Sequence, residues 1–214
     1  MDRLKRTLVL IALLATALMS GCAQQQTYDY TAFNQSKPTS ILVIPPKNDT
    51  VEVNAPYIFL STISAPLADK GYYVFPVAVI DQMLKENGLS SPAEMHEIPL
   101  EKLNEHIAPD AVLYVNITDW GQKYKVVTST TVVKATMELI DAKTGERIWH
   151  GTASAQRSSG DGGGLAGMII NAVVDQVVGN IVDYTPELST YANQLVINNR
   201  STGLPSGHYI TTEQ

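Results

Sequence analysis

The amino-acid sequence predicts one α/β domain in which helices cover a mixed β-sheet. Two patterns indicate this. Residues 40–107 alternate between short apolar runs and segments with helical spacing of apolar residues, whereas residues 110–156 are rich in β-branched and aromatic residues. The first pattern favours strands joined by helices, and the second favours a long antiparallel meander. Hydrophobic residues make up 44% of the 214 residues, which suits a globular domain, expected over residues 40–183.

The segment before this domain, residues 1–21, has the parts of a bacterial export signal. Three basic residues within the first six positions precede an apolar run over residues 7–19, and the run ends at the small pair Ser20-Gly21. The run has 13 residues, whereas a helix that crosses a bilayer needs about 20. The segment is therefore predicted to be a signal peptide that is removed.

Cys22 is the only cysteine in the chain, and it directly follows the small pair. This arrangement resembles the lipobox of bacterial lipoproteins, although Met19 stands where that motif usually has Leu. The resemblance implies a thioether-linked diacylglycerol on Cys22, cleavage before it and acylation of the new N-terminus. An ordinary secreted protein with a chance cysteine is the alternative. Ala23, in place of Asp, implies an outer-membrane lipoprotein under the enterobacterial sorting pattern.

The charge of the chain limits its partners. Removal of residues 1–21 would change the formal net charge from −6 to −8. An acidic surface argues against nucleic acid and against anionic lipid headgroups as binding partners. A single cysteine permits no intramolecular disulfide, so the stability of the fold is expected to come from its core.

Residues 22–39 are predicted to be the lipidated tether. They are polar and show neither helical nor strand periodicity, which is typical of a flexible link that would hold the domain roughly 20–25 Å from the lipid. Tyr28, Tyr30 and Phe33 are expected to pack back onto the domain, and the lipid headgroup zone is the alternative.

The first half of the domain predicts a strand–helix–strand order followed by two helices. Pro45-Pro46 cannot donate ladder hydrogen bonds and so ends the first strand. Gly71 and Gly88 are typical helix C-terminal residues, and Pro66 predicts a kink or a break. The elements are a strand over residues 40–46, a helix over 55–71, a strand over 72–77 and helices over 77–88 and 99–107.

The second half predicts the antiparallel meander. Apolar and polar residues alternate over residues 133–139, which indicates one buried and one wet face. Turn signals occur at Trp120-Gly121 and over residues 141–146, where Gly145 takes the position that needs a positive φ.

The apolar segment over residues 165–183 predicts a helix with an unusually wide apolar stripe. Burial in the core is the first interpretation. Contact with another protein is the second, and Val173, Val177 and Ile181 are then the candidate partner-binding residues. Residues 184–214 are expected to form a short helix, begun by Thr185 and Pro186, and a tail.

The sequence carries no recognisable catalytic, cofactor or metal motif. Gly162, Gly164 and Gly167 match G-x-G-x-x-G, but they follow an antiparallel hairpin and not the first strand of a βαβ unit. No histidine has a second ligand at a spacing that would bind a metal, and the G-x-S-x-G motif is missing. The prediction is a protein that is not an enzyme and uses no cofactor.

Several motifs in a fixed order resemble a family of uncharacterised bacterial lipoproteins that includes a neisserial vaccine candidate. They are ILVIPPKND, APLADKGYYVFPV, DAVLYVNITDW and LIDAKTGERIWHGTAS, and the resemblance covers about residues 41–183. It implies no established activity. More distantly, the strand–helix–strand start and the D-x-x-T-G-x-x-x-W hairpin resemble the N-terminal domain of TolB and the periplasmic domains of CsgG-type lipoproteins, which are assembly and scaffolding modules.

The residues and the resemblance together predict a non-catalytic, outer-membrane lipoprotein that faces the periplasm, with surface exposure as the alternative. Its expected role is as a protein-interaction or assembly component of a cell-envelope complex. A CsgG-like lipoprotein and a small second lipoprotein are the partners that the resemblance implies. The alternative function is a binding module for a small ligand or an envelope glycan, with a cleft near Tyr72, Tyr73 and Trp120.

Overall fold

The structure, a computed structural model, describes residues 28–124, 129–159 and 183–210. The predicted signal peptide, Cys22 and the three candidate partner-binding residues Val173, Val177 and Ile181 lie outside these ranges.

The described elements alternate as the sequence predicts, with several differences in length and number. The strands are β1 (Ser40–Val43), β2 (Lys47–Asn48), β3 (Tyr73–Val74), β4 (Ala111–Tyr124), β5 (Ser129–Asp141) and β6 (Arg147–Ser159). The helices are α1 (Thr31–Ser36), α2 (Ala55–Asp69), α3 (Val77–Glu86), α4 (Pro92–His96), α5 (Leu100–His106) and α6 (Thr185–Ile197).

The strands form one mixed sheet in the order β3-β1-β4-β5-β6. β1 runs parallel to both β3 and β4, and β2 continues the same parallel pairing along β4 after Pro45-Pro46 interrupts it. β5 is antiparallel to both of its neighbours, β4 and β6. The predicted mixed sheet with a long antiparallel meander, covered by helices, is therefore confirmed.

The core lies on both faces of this sheet. Because side chains alternate along a strand, Ile41 and Val43 of β1 join the apolar cluster with α2 and α6, whereas Leu42 and Ile44 join the cluster with α3, α4 and α5. In β5 the predicted alternation is confirmed, since Val133, Ala135, Met137 and Leu139 are buried and Lys134, Thr136 and Glu138 are exposed.

Helix α2 ends where the sequence predicts but continues past its internal proline. Gly71 has a φ of +92°, and the N–H of Tyr72 donates to the carbonyl of Leu67 at 3.3 Å, which is the expected glycine C-terminal motif. Of the kink or break predicted at Pro66, the break is wrong, because the helix continues to Asp69. A proline this close to the helix end removes only one main-chain hydrogen bond.

The turn predicted at Trp120-Gly121 is also wrong. Both residues lie within β4, opposite Val133 and Val132 of β5. Gly121 does have a φ of +91°, but it adopts this conformation inside the strand, shortly after a register shift between Ile117 and Asp119. A glycine with positive φ is common at strand irregularities as well as in turns.

The segment before β1 is folded, although its composition predicts a tether up to residue 39. From Tyr28 onward the chain lies against the domain: α1 places Phe33 in the core, and Tyr28 and Tyr30 pack against the same cluster. The expected packing of these three aromatic residues is confirmed. A helix of six residues with one buried apolar side chain has no periodicity that a sequence pattern could reveal.

Two carboxylates fasten this segment to the sheet. Asp110 Oδ2 accepts hydrogen bonds from the backbone N–H and hydroxyl of Thr39 and of Ser40 at 2.6–3.0 Å. Asp141 accepts from the Ser36 hydroxyl at 2.5 Å and from the Thr144 N–H at 2.7 Å. Burial would raise the pKa of each carboxyl, but the hydrogen bonds outweigh it, so both pKa values lie below the usual 3.8.

These depressed pKa values predict an acid-dependent stability. A carboxyl whose pKa is lower in the folded state stabilises the fold above its unfolded-state pKa and loses that contribution as the pH falls through the folded value. Asp110→Asn is therefore expected to be less stable than the wild type at pH 7, with a difference that shrinks below about pH 3.8. Urea unfolding between pH 2.5 and 7 measures it. A difference that stays constant over this range would contradict the prediction.

Candidate interaction surfaces

Helices α3, α4 and α5 enclose an apolar groove on the face of the sheet opposite α2 and α6. We call it the helical groove. Its volume is about 680 Å³. Six apolar side chains line it: Met83, Leu84, Leu89, Ile98, Leu103 and Ile107. Leu84 and Leu103 are buried, and the other four are partly exposed, so the groove opens to the surface.

Two very short helices create the helical groove. Ser91 begins α4 with a capping box, in which its hydroxyl accepts from the N–H of Glu94 and the Glu94 carboxylate accepts from the N–H of Ser91. Pro99 precedes α5. These helices have only five and seven residues, and each buries one side chain, Met95 in α4 and Leu103 in α5. Ile98, between the two helices, and Ile107, after α5, stay partly exposed.

Helix α4 was not predicted from the sequence, although a signal for it exists. The residues from Ser91 to Glu94 match the S-x-x-E capping pattern with a proline at the first helical position. That pattern marks a helix start even where the helix is too short for apolar periodicity. The single helix expected over residues 99–107 is thus the second of two.

Charged residues surround the opening of the helical groove. Glu94, Glu97, Lys102 and His106 stand along its lining, and Glu101 and Glu105 are exposed on the same helix as Lys102. Lys102 Nζ lies 2.7 Å from the Glu105 carboxylate and Lys47 Nζ lies 3.8 Å from that of Glu97, so two lysines stand against four glutamates. The rim is therefore net acidic around an apolar floor.

A second cleft, of about 520 Å³, lies between β2, the loop after it, the start of α2 and α3. Its polar groups are paired with neighbours. Lys85 Nζ lies 2.7 Å from Asp81, whose hydrogen bond raises the pKa of Lys85, and Asn116 donates to Asp49 at 2.7 Å. Val51 and Val53 on the loop are 93% and 79% exposed. Because these polar groups bind one another, they do not form a shared binding site for a ligand in this cleft.

The ligand cleft expected near Tyr72, Tyr73 and Trp120 is not formed. Tyr72 and Trp120 are buried in the core, and the Tyr72 hydroxyl donates to the Pro205 carbonyl at 2.6 Å. Burial raises the pKa of Tyr72. Tyr73 is half-exposed at the edge of the sheet, next to Phe75. The three aromatic residues therefore do not face one common cavity.

The histidines lie apart. His96 Nε2 is 3.0 Å from the Pro45 carbonyl, with its pKa lowered by burial, and His150 contacts Tyr28. His106 lies beside Glu105, and His208 beside Tyr209. Within the described ranges, no three His, Cys, Asp or Glu residues are grouped so that they could hold a metal ion.

No helix in the same ranges is long and apolar enough to cross a membrane.

Comparison with known proteins gives concordant matches along nearly the whole chain. A family model described as "Putative lipoprotein GNA1162-like" matches residues 28–208. The "Putative lipoprotein NMB1124/NMB1162" of Neisseria meningitidis serogroup B is 37% identical over 210 residues, which cover 96% of this chain and 98% of the relative.

One solved structure agrees with these matches. The crystal structure of lipoprotein GNA1162 from Neisseria meningitidis is 40% identical, with a TM-score of 0.55 over 59% of this chain and 88% of that chain. A PelC dodecamer from Paraburkholderia phytofirmans matches at 18% identity and a TM-score of 0.46, over 80% of this chain and 92% of that chain. The second likeness is too low to inform on function.

Proposed function

Because the chain belongs to the GNA1162-like lipoprotein family, we propose that it is a non-catalytic, lipid-anchored envelope protein that acts by binding other envelope proteins. The observation that carries the proposal is the helical groove, an open apolar surface bordered by acidic residues. Exposed apolar patches rimmed by polar residues mark sites of interaction with proteins, membranes or ligands.

The shape and chemistry of the helical groove suit a helix or a short extended segment of another protein. Helix-in-groove recognition places the apolar side chains of one helical face against an apolar floor. Met83, Leu89, Ile98 and Ile107 supply such a floor without further rearrangement, since each is already partly exposed. The acidic rim favours a partner segment whose apolar residues are flanked by Lys or Arg.

We propose that the lipid is attached to Cys22 and that the protein is held at the outer membrane, facing the periplasm. The signal peptide, the small pair before Cys22 and the Ala at position 23 support this. A CsgG-like lipoprotein and a small second lipoprotein are the first partners to test.

Loss of binding through the helical groove is the main test. Leu89→Glu and Ile107→Glu place a charge on the apolar floor, so we expect both to abolish co-purification of the protein with its crosslinked envelope partners. Both side chains are only partly exposed and pack against the core cluster, so the melting temperature should fall while the protein stays folded. Crosslinking in intact cells followed by mass spectrometry measures the partners, and circular dichroism measures the melting.

Val79→Glu is the matched control for these variants. Val79 lies on α3, the helix that also carries Met83, but it is 61% exposed and outside the helical groove. It should keep every partner. If folded groove variants retain the same partners as Val79→Glu, the helical groove is not the contact surface.

The final apolar segment supplies a second proposed contact. Its candidate residues are Val173, Val177 and Ile181, which the sequence alone suggests. A charged substitution at any of these that is solvent-exposed should remove partners with a change in folding free energy of about 0.5 kcal/mol or less. Unfolding of all three variants would show that the segment belongs to the core, and the helical groove would then be the remaining contact.

A further inference from the structure

The side chain of Tyr28 is the first described attachment of the chain to the domain. Its hydroxyl accepts a hydrogen bond from the backbone N–H of His150 at 2.7 Å and lies 3.2 Å from the His150 carbonyl. His150 belongs to β6, the edge strand of the sheet. Tyr28 therefore binds main-chain groups on the side of β6 that faces away from β5.

Two further attachments follow within five residues. The Tyr30 hydroxyl donates to the Gly203 carbonyl at 2.6 Å, its ring lies 4.6 Å from the ring of Tyr28, and Phe33 is buried in the core. The first described residues are thus held to the domain at one place. We call this place the anchor face and define it by Tyr28, Tyr30, His150 and the turn over residues 199–203.

The length of chain between Cys22 and Tyr28 limits how far the anchor face can lie from the lipid. Six residues span at most about 21 Å, whatever conformation they adopt. A chain of the predicted mature length has a radius of gyration of about 16 Å and so a diameter of about 40 Å. The maximum distance from the Cys22 lipid to Tyr28 is therefore about half of the diameter of the domain. The anchor face then lies in the half of the domain that is nearer the membrane.

The helical groove lies on the other face of the sheet from the apolar cluster that Tyr28 and Tyr30 join. Its α3 side lies toward the β3 edge, whereas α5 reaches the β5–β6 hairpin, where the Asn104 side chain donates to the Ala142 carbonyl. β6 forms one edge and β3 the other, and α3, which lines the groove, directly follows β3 in the chain. Four strand spacings separate the two edges, a distance of about 19 Å. A protein tied down at the β6 edge therefore directs the α3 side away from its lipid.

We propose that the anchor face is the membrane-facing surface of the protein and that the helical groove points away from the bilayer, where an envelope partner can reach it. The orientation rests on the lipid attachment at Cys22 that the proposed function includes. It needs no binding of anionic headgroups, in keeping with the acidic chain. The partner of the anchor face is a zwitterionic lipid surface at short range.

Energy transfer from the protein to labelled lipid tests this orientation. The chain that begins at Cys22 is coupled through its single thiol to a maleimide lipid in phosphatidylcholine vesicles, so the result does not depend on whether cells attach a lipid. p-Azidophenylalanine replaces Arg200, in the turn of the anchor face, or Val79, on α3. Each is joined to a fluorescent donor by cycloaddition, and the lipid headgroups carry the acceptor.

Transfer from position 200 should exceed transfer from position 79 by about twofold or more, given an edge separation of about 19 Å. Equal transfer, or stronger transfer from position 79, would overturn the proposed orientation. Palmitate labelling in cells bears only on the lipid at Cys22, so the failure of one proposal is distinguishable from the failure of the other.

Releasing the attachment provides the second arm. In Tyr28→Ala/Tyr30→Ala the next attached residue is Phe33, and the maximum reach from Cys22 grows to about 39 Å. The ratio of transfer between the two positions should then fall toward one, provided that circular dichroism shows a folded protein. Tyr57→Ala, which removes an exposed tyrosine from α2, should leave the ratio unchanged. An unchanged ratio in the folded double variant would show that these tyrosines do not hold the chain to the anchor face.

Discussion

Cys22→Ser is expected to abolish the incorporation of fatty acid and to leave a soluble or uncleaved product. The predicted modification forms a thioether on the Cys22 sulfur, and a serine hydroxyl, which ionises far less readily than a thiol, cannot provide the sulfur nucleophile. Metabolic labelling with palmitate, followed by separation of membrane and soluble fractions, measures both effects. The expected change is complete, since the chain has no other cysteine.

Ser20→Ala is the matched control for Cys22→Ser. It keeps a small residue two positions before the cysteine and should incorporate label as the wild type does. If Cys22→Ser incorporates as much label as the wild type, the lipoprotein assignment of Cys22 is wrong, and the proposed membrane anchoring would have to be abandoned.

Trp149→Ala is expected to cause the largest loss of folding stability, about 3–5 kcal/mol. Trp149 is 2% exposed, and its indole Nε1 donates to the Thr202 carbonyl at 2.9 Å. Its ring also lies against Gly151, where a Cβ atom would be only 2.8 Å from it. An alanine would leave a cavity between β6 and the turn that follows α6, because such tight surroundings collapse only partly.

Trp149→Phe separates the two contributions of this side chain. It keeps most of the ring volume and removes the hydrogen bond, so the expected cost is smaller, about 1–3 kcal/mol. Urea unfolding measures both variants. Val79→Ala, at an exposed position, should stay within about 0.5 kcal/mol of the wild type. A loss below about 1 kcal/mol in Trp149→Ala would contradict the packing described around β6.

The position of Trp149 links stability to the proposed orientation. The turn whose Thr202 carbonyl it binds also supplies the Gly203 carbonyl that receives the Tyr30 hydroxyl. Trp149→Ala should therefore loosen the anchor face as well as the core. The lesser variant Trp149→Phe removes one support of that turn while keeping the fold.

The helical groove is a feature that the sequence alone does not predict. Its apolar lining comes from three helices, of which α4 has only five residues. Such a helix offers a capping signal but is too short to show a helical period of apolar residues. The acidic rim was visible as composition, whereas its placement around an apolar floor depends on how α3, α4 and α5 meet.

The errors have a common physical origin. Gly121 and Pro66 carry strong local preferences, for positive φ and against an intact helix, which predict a turn at Gly121 and a kink or break at Pro66. In the folded chain Gly121 adopts its positive φ within a strand, and Pro66 lies near a helix end where it costs little. Local preference restricts the backbone at a residue, but the surrounding contacts decide which permitted arrangement is used.

The sequence by itself determined the elements that depend on near neighbours: the end of α2 at Gly71, the alternation of β5 and the hairpin at Gly145. Only the tertiary structure decided the contacts between distant residues. Tyr28 and His150 are 122 positions apart, and Tyr30 and Gly203 are 173 apart. Neither pair leaves a periodic signal in the chain, because the packing of α1 and α6 on the sheet brings each pair together. The anchor face and the groove that faces away from it arise from that packing.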